Sequence, residues 1–337
     1  SSSSSSINSN NNNNNNNKVP RPPPALQQWP PFLQSALDSG RLCGEKTRFL
    51  RDDSQGDCYA FVEGLRRRLV DRYGCDWRQG TTAKTVLLEQ HTAQQHQSRP
   101  STTCIGVIDQ DGRKHLADAV VVCAGAKSRS LLLTADVSVP MYPLRGYSIT
   151  LPKIGGGGGL VKAGESKQQQ QQNPFIHVLP YHIYITEMPR GRVRVSGFGE
   201  FGGLDLREKE GGLGSLDVGR STEMHDRLEA TLRKIVPNVD ELVDFGAAER
   251  WVGERPLTPD LRPVVGATKV PGLYVNAGHS FNGWRDATYT SHLVASCVES
   301  QSNHPLREKN VELLYSIERF KLFRPFLSTR QPREQQQ

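Results

Sequence analysis

Apolar residues recur along this chain at two spacings, and the switches between them mark out the elements. Over residues 57–74, Phe61, Leu65 and Leu69 return every four positions, Asp57 stands ready to cap and Gly74 to stop, so the spacing predicts a helix with one face packed inward. A hairpin pair follows over 81–89 and 103–108, with Asp111 and Gly112 as a turn. Residues 119–123 form a short unbroken apolar run, the pattern of a strand buried on both faces. Three segments, 141–151, 175–187 and 191–199, alternate as strands of an antiparallel sheet with one exposed side. Over 221–236 the helical period returns, with Met224, Leu228, Leu232 and Ile235 on one stripe and Pro237 as its end, and this helix is expected to lie on that sheet. The last elements are a strand over 273–276, Gly278, and a helix over about 283–300.

Composition changes this picture at the margins. Residues 1–40 are a Ser/Asn tract and then a Pro-rich run, which cannot bury enough apolar surface to order itself and is expected to be a disordered arm. A Gly/Gln insert at 155–172 interrupts the strand region and belongs in a surface loop, and 301–337 reads as a basic tail. No window approaches a membrane-spanning length of apolar residues, and the first residues lack the basic and apolar regions of a secretory signal, so a soluble protein of the cytoplasm or mitochondrion is expected. Six cysteines occur without a C-x-x-C pair or matching His spacing, so neither a zinc site nor a disulfide scaffold is expected. The net charge of +7 is dispersed among acids and not gathered into a stripe, which argues against a nucleic-acid partner.

One literal dinucleotide fingerprint exists, Gly197, Gly199 and Gly202 in GFGEFG, with Asp217 beyond it. That motif works by opening a helix at its third glycine, and Gly202, Gly203, Gly211, Gly212 and Gly214 forbid one. It is read as a chance match.

A more informative constellation lies in four places: GEKTRFLRDDSQGDCYAFVEGL at 44–65, ADAVVVCAGAKSRSLL at 117–132, VPMYPLRGYSITLP at 139–152, and ERWVGERPLTPDLRPVVGATKVPGLYVNAGHSFNGW at 249–284. In this order, above all R-P-x-T-P-D followed by G-H-x-x-x-G-W, they resemble the D-amino acid oxidase family of FAD-dependent oxidoreductases over roughly 44–300. The resemblance implies that Ala124, Gly125 and Ala126 lie under the flavin pyrophosphate, where small residues let backbone approach phosphate. It places Ala83 beside adenine, and Gly278, His279, Gly283 and Trp284 in a flavin-proximal turn with His279 flanking the isoalloxazine. Arg255 stands where several members pair an arginine with the substrate carboxylate, a task that suits its planar fork. Tyr147 and Tyr184 are candidates for a hydroxyl near the substrate. Each residue also has an ordinary reading: a surface arginine, a loop histidine bonded to backbone, a core tryptophan, and sheet tyrosines that simply pack.

The expected architecture is therefore an α/β FAD-binding domain, discontinuous over 41–138 and 246–300, plus an α+β antiparallel-sheet substrate domain over 139–245. The family's amino-terminal strand, G-x-G-x-x-G turn and helix have no counterpart before Gly44. That leaves the FAD-binding domain incomplete, and the 337 residues alone are expected to be colourless, aggregation-prone and inactive. The activity the resemblance implies is oxidative deamination of a small D-amino acid or related amine by hydride transfer to FAD, with no metal and an unspecified electron acceptor. Three alternatives stay open: an inactive fragment of the same family, a low-complexity RNA-associated protein, and a nicotinamide enzyme using Gly197 to Gly202.

Overall fold

In the computed structural model, residues 38–40, 56–91, 101–155, 175–188, 190–201, 218–300 and 315–323 are described. Most of the Ser/Asn/Pro arm, most of the Gly/Gln insert, Gly202, Asp217, and residues 301–314 and 324–337 lie outside them.

Helix α1, Cys58–Tyr73, begins and ends where its punctuation dictates. The Asp57 carboxylate accepts a hydrogen bond from the Ala60 amide at 3.0 Å, and Gly74 closes the helix at φ 64°. The expected inward packing of its stripe is not what forms: Phe61, Leu65 and Leu69 are 52%, 44% and 43% exposed. Periodicity records that a face needs a partner, and among the described residues this one meets little beyond the edge of the Trp284 ring, 5.3 Å from Phe61.

Two three-stranded sheets follow. Strands β1 (Ala83–His91), β2 (Ser101–Asp109) and β3 (Lys114–Leu116) form an antiparallel meander, in which the Asp111–Gly112 turn leads into a third strand that the sequence pattern did not announce. Strand β4 (Val120–Val122) lies parallel to β11 (Leu273–Ala277), which pairs antiparallel with β10 (Val264–Ala267). The expectation of β4 buried on both faces is corrected: it is a short end strand, and Val121 is 38% exposed. Helix α2 (Ser128–Leu133) joins this sheet to the meander, since the Thr134 hydroxyl accepts from the Val86 amide at 3.0 Å.

The third sheet has the order β6–β7–β8–β5–β9 and is antiparallel throughout. Its strands are β5 (Tyr142–Pro152), β6 (Phe175–Val178), β7 (Ile183–Met188), β8 (Arg192–Phe201) and β9 (Glu249–Leu257). The segment expected as one strand over 175–187 is two, separated by a 3-10 turn at Leu179–Tyr181. Helix α3 (Val218–Ile235) lies on one face as its stripe requires, burying Met224, Leu228, Leu232 and Ile235 against Tyr147, Ile149, Leu151, Val193 and Val195. A one-turn helix α4 (Val239–Leu242) follows it, and Val239 completes that core. Strand β9, expected with the nucleotide-binding segments, pairs with β5 over nine rungs and so belongs to this sheet. Of GFGEFG, Gly197 to Phe201 fall in β8, with Gly197 and Gly199 inside the strand, and Gly202 lies outside the described residues.

Helix α5 (Gly283–Ser300) packs on β10 and β11, and none of the described helices is long and apolar enough to cross a membrane. Part of the segment read as a basic tail is docked, not solvated. Over 317–323 it forms a 3-10 turn with Phe320 buried, while the Arg319 guanidinium grips the Asp260 carboxylate at 2.8 and 3.2 Å.

Candidate active site

Side chains alternate across a strand, so the face of the large sheet turned away from α3 is set by register. One row crosses all five strands there in step: His177, Tyr184, Ser196, Ser148 and Trp251. His177 and Tyr184 stack at 4.2 Å. Two rungs further along β5 and β9, on the same face, Gly146 faces Gly253. Both glycines leave room for this arrangement: a Cβ on Gly146 would stand 1.9 Å from Arg255 Nη1, and one on Gly253 would stand 2.0 Å from the Trp251 ring, so either would push the side chain above it aside. The guanidinium and the indole thus converge over a floor of two glycines.

Arg255 sits at the end of this floor. Its guanidinium lies 5.9 Å from the Phe281 ring centroid, within electrostatic reach of Tyr184, and it forms no ion pair among the described residues. Burial pushes its pKa down from the usual value, although a guanidinium stays charged. A half-buried cation with no counter-ion among the described residues, beside an open face, can take a carboxylate.

The 278–283 turn is tied to the same strand. The Ser280 amide donates to the Pro256 carbonyl at 3.1 Å, and the Thr258 amide donates to the Ser280 hydroxyl at 3.3 Å. Gly278 adopts φ 78°, and the space of its missing Cβ is filled by Thr258 and Met141, so this glycine serves the close packing of the turn. Ser280 is held at φ 53°, a left-handed conformation that a side chain disfavours. His279 is half-buried, with Nε2 2.9 Å from the Thr290 hydroxyl. Since that hydroxyl is within donating distance of the Ala287 carbonyl, at 3.2 Å, the network assigns the proton to His279 Nε2. Burial pushes the His279 pKa down, against a smaller opposite pull from Asp286. The imidazole is neutral at pH 7.

Ala124, Gly125 and Ala126 turn out of β4 into α2, with Gly125 at φ 55° and open space where its Cβ would be. This turn packs against β9, which brings it to the Arg255 strand. Just beyond it Ser128 and Arg129 are buried, and Ser128 Oγ, Arg129 Nε and Arg129 Nη1 have no hydrogen-bond partner among the described residues. Ala83 starts β1 at the rim of an open pocket of about 520 Å³ that is also lined by Arg78, Lys114 and His115. Gly283 opens α5, and Trp284 beside it is half-exposed against Phe61 and Gly56 of the α1 end.

Tyr147 is not on the open face. One position from Gly146, it points to the α3 side, 2% exposed, and its hydroxyl donates to Glu200. Burial first, and then the Glu200 carboxylate, push its pKa up to about 12. Parity along β5 therefore places its hydroxyl on the face opposite Arg255. Tyr147→Phe should cost about 0.5–1.5 kcal/mol of stability in urea unfolding, and should leave amino acid binding by calorimetry unchanged. A changed affinity would return this hydroxyl to the site.

Tyr184, Trp251 and Arg194 occupy the open face instead. Arg194 and Trp251 were not singled out in the sequence. The available signal was alternation: in R-V-R-V-S and E-R-W-V-G-E-R, the residues between Val193 and Val195, and on either side of Val252, point away from the core.

The FAD dependent oxidoreductase family, DAO, matches residues 28–297. The chain belongs to this family. Among DAO relatives, the D-amino acid dehydrogenase of Rhizobium johnstonii is 32% identical over 249 residues, 73% of this chain and 49% of the relative. That of Chromohalobacter salexigens is 29% identical over 250 residues, 74% of this chain and 50% of the relative. The chain spans about half the length of the curated relatives it matches. Among solved structures, L-proline dehydrogenase from P. horikoshii superposes with a TM-score of 0.51 at 19% identity, covering 78% of this chain and 59% of that one, which establishes a shared fold.

Proposed function

We propose that this DAO-family chain takes part in FAD-dependent oxidative deamination of a D-amino acid, with the α-carboxylate held by Arg255. The observation that carries this reading is the convergence described above: an arginine with no counter-ion among the described residues, over paired glycines, bonded through its strand to the turn that opens α5. The D-amino acid dehydrogenase names of its relatives support the substrate class. The division of labour follows the sheets. Segments 41–138 and 258–300 serve FAD, and the five-stranded sheet with α3 serves the substrate.

The residues present fit the cofactor. Orphaned buried polar atoms on Ser128 and Arg129 stand beside a turn with open space over Gly125, which suits a diphosphate. Ala124, Gly125 and Ala126 would admit it closely, Ala83 would lie by the adenine, and Gly278, His279, Gly283 and Trp284 would border the ring. Bound FAD would supply the hydride acceptor.

The chain's own groups do the positioning. A bidentate grip by Arg255 fixes the amino acid at one end, so that the α-hydrogen presents in one direction. Tyr184 borders the same space from β7. His279 remains neutral with its Nε2 proton committed to Thr290, and its Nδ1 is left as an acceptor. The test is anaerobic, and it decides between this reading and the colourless, inactive chain expected from the sequence: with FAD in excess, a D-amino acid should bleach the visible flavin absorption and its L-enantiomer should not. Absorption that no amino acid changes overturns the proposal.

A further inference from the structure

We infer that Arg194 and Arg255 together form a two-point receptor for an acidic amino acid, with the α-carboxylate on Arg255 and the side-chain carboxylate on Arg194. This rests on the Arg255 reading above and extends it to the substrate's side chain. Arg194 lies on β8 between Val193 and Val195, which are fully buried against α3, so parity turns it to the open face. Its side chain crosses β5. Nη2 donates to Ser148 Oγ at 3.1 Å, and the guanidinium carbon stands 5.6 Å from the Trp251 ring centroid. Ser148 is only 2% exposed in this arrangement.

The two guanidinium groups therefore stand over consecutive same-face positions of one strand, Arg194 at Ser148 and Arg255 at Gly146. Such positions are about 7 Å apart. An aspartate- or glutamate-length acid bridges that gap. Like Arg255, Arg194 forms no ion pair among the described residues. Its other nitrogens are not among the buried unpaired atoms, so they face solvent and can donate. Glu249, on the same face, occupies the rung of Thr150 and pairs with neither arginine.

Two cations at this spacing repel each other and disfavour a cationic side chain between them. A dicarboxylate supplies a counter-ion to each. The indole beside Arg194, 5.6 Å from its guanidinium carbon, adds a cation–π contact that helps to hold the group on this face.

Calorimetric titration of the full chain with D-glutamate and D-glutamine reads the second carboxylate directly, since the two ligands differ in that group and share the first. D-glutamate should bind about 10- to 100-fold more tightly. Arg194→Met keeps a stem over Ser148 while removing the charge, and should bring the two ligands to parity with D-glutamine unaffected. Equal affinities in the wild-type chain, or a preference for D-glutamate that survives Arg194→Met, overturn the inference and leave Arg255 as a site for one carboxylate. Failure of the wild-type chain to bind either ligand overturns the Arg255 reading and this one with it. Should Arg194→Met not fold by circular dichroism, the wild-type comparison decides alone.

Discussion

Arg255→Ala should weaken the binding of a D-amino acid by about 30-fold to 1,000-fold, roughly 2 to 4 kcal/mol. Its size follows from what the guanidinium lacks. No carboxylate of the described protein neutralises it, burial already weighs against its charge, and a bound carboxylate would be its first full partner. Truncation also leaves the ligand's carboxylate against Phe281 and the Gly146–Gly253 floor, which offer no side-chain donor. The fold should not change, since Arg255 makes no ion pair with the described protein. Calorimetry with D-alanine checks it, and an unaltered affinity removes Arg255 from the site.

Leu232→Ala should destabilise the large sheet and its helix by about 2 to 5 kcal/mol. Leu232 is fully buried midway along the α3 stripe, with Leu228 and Ile235 beside it and the valines of β8 beneath. Its loss opens a cavity that a packed helix cannot close by moving toward a sheet it already touches. Against a total stability of about 5–15 kcal/mol, the urea midpoint should fall sharply with little change in slope. A shift below about 0.5 kcal/mol would mean that α3 does not rest on this sheet.

The parts of this fold that were legible in the sequence are those where one physical requirement dominates. Met224, Leu228, Leu232 and Ile235 had to lie on something apolar, and the alternating strands supplied it. Asp57 and Gly74 set the ends of α1 by local hydrogen bonding and a left-handed backbone. Strand β9 was not legible as part of the sheet because ion pairs replace apolar residues on its helix side. Arg250 bonds Glu229 of α3, and Glu254 pairs with Arg145 of β5. With charge on both faces, E-R-W-V-G-E-R-P-L carries no clear period, and its residues were read by motif instead.

The site divided along the same line. Arg255 was visible through its motif, and the structure gives it a setting that suits a carboxylate. Tyr147 was attractive for its place beside Arg145 and Gly146, yet one step along a strand reverses the face, and only strand register could show which side it took. Arg194 and Trp251 gave no motif at all. Their meeting depends on Ser148 joining β8 to β9 across β5, a relation among residues far apart in the chain.

The Gly146–Gly253 rung also bears on how such a chain changes over generations. A substitution there would leave α3, the buried valines and the strand pairing nearly as they are, while a single added carbon pushed the guanidinium or the indole aside. A lineage could then lose the proposed receptor while its product still accumulates in the cell as a folded protein. Two glycines at this rung, together with an arginine two residues beyond the second, give a reader of related sequences a way to separate chains that keep the geometry of the proposed receptor from those that have drifted to other work.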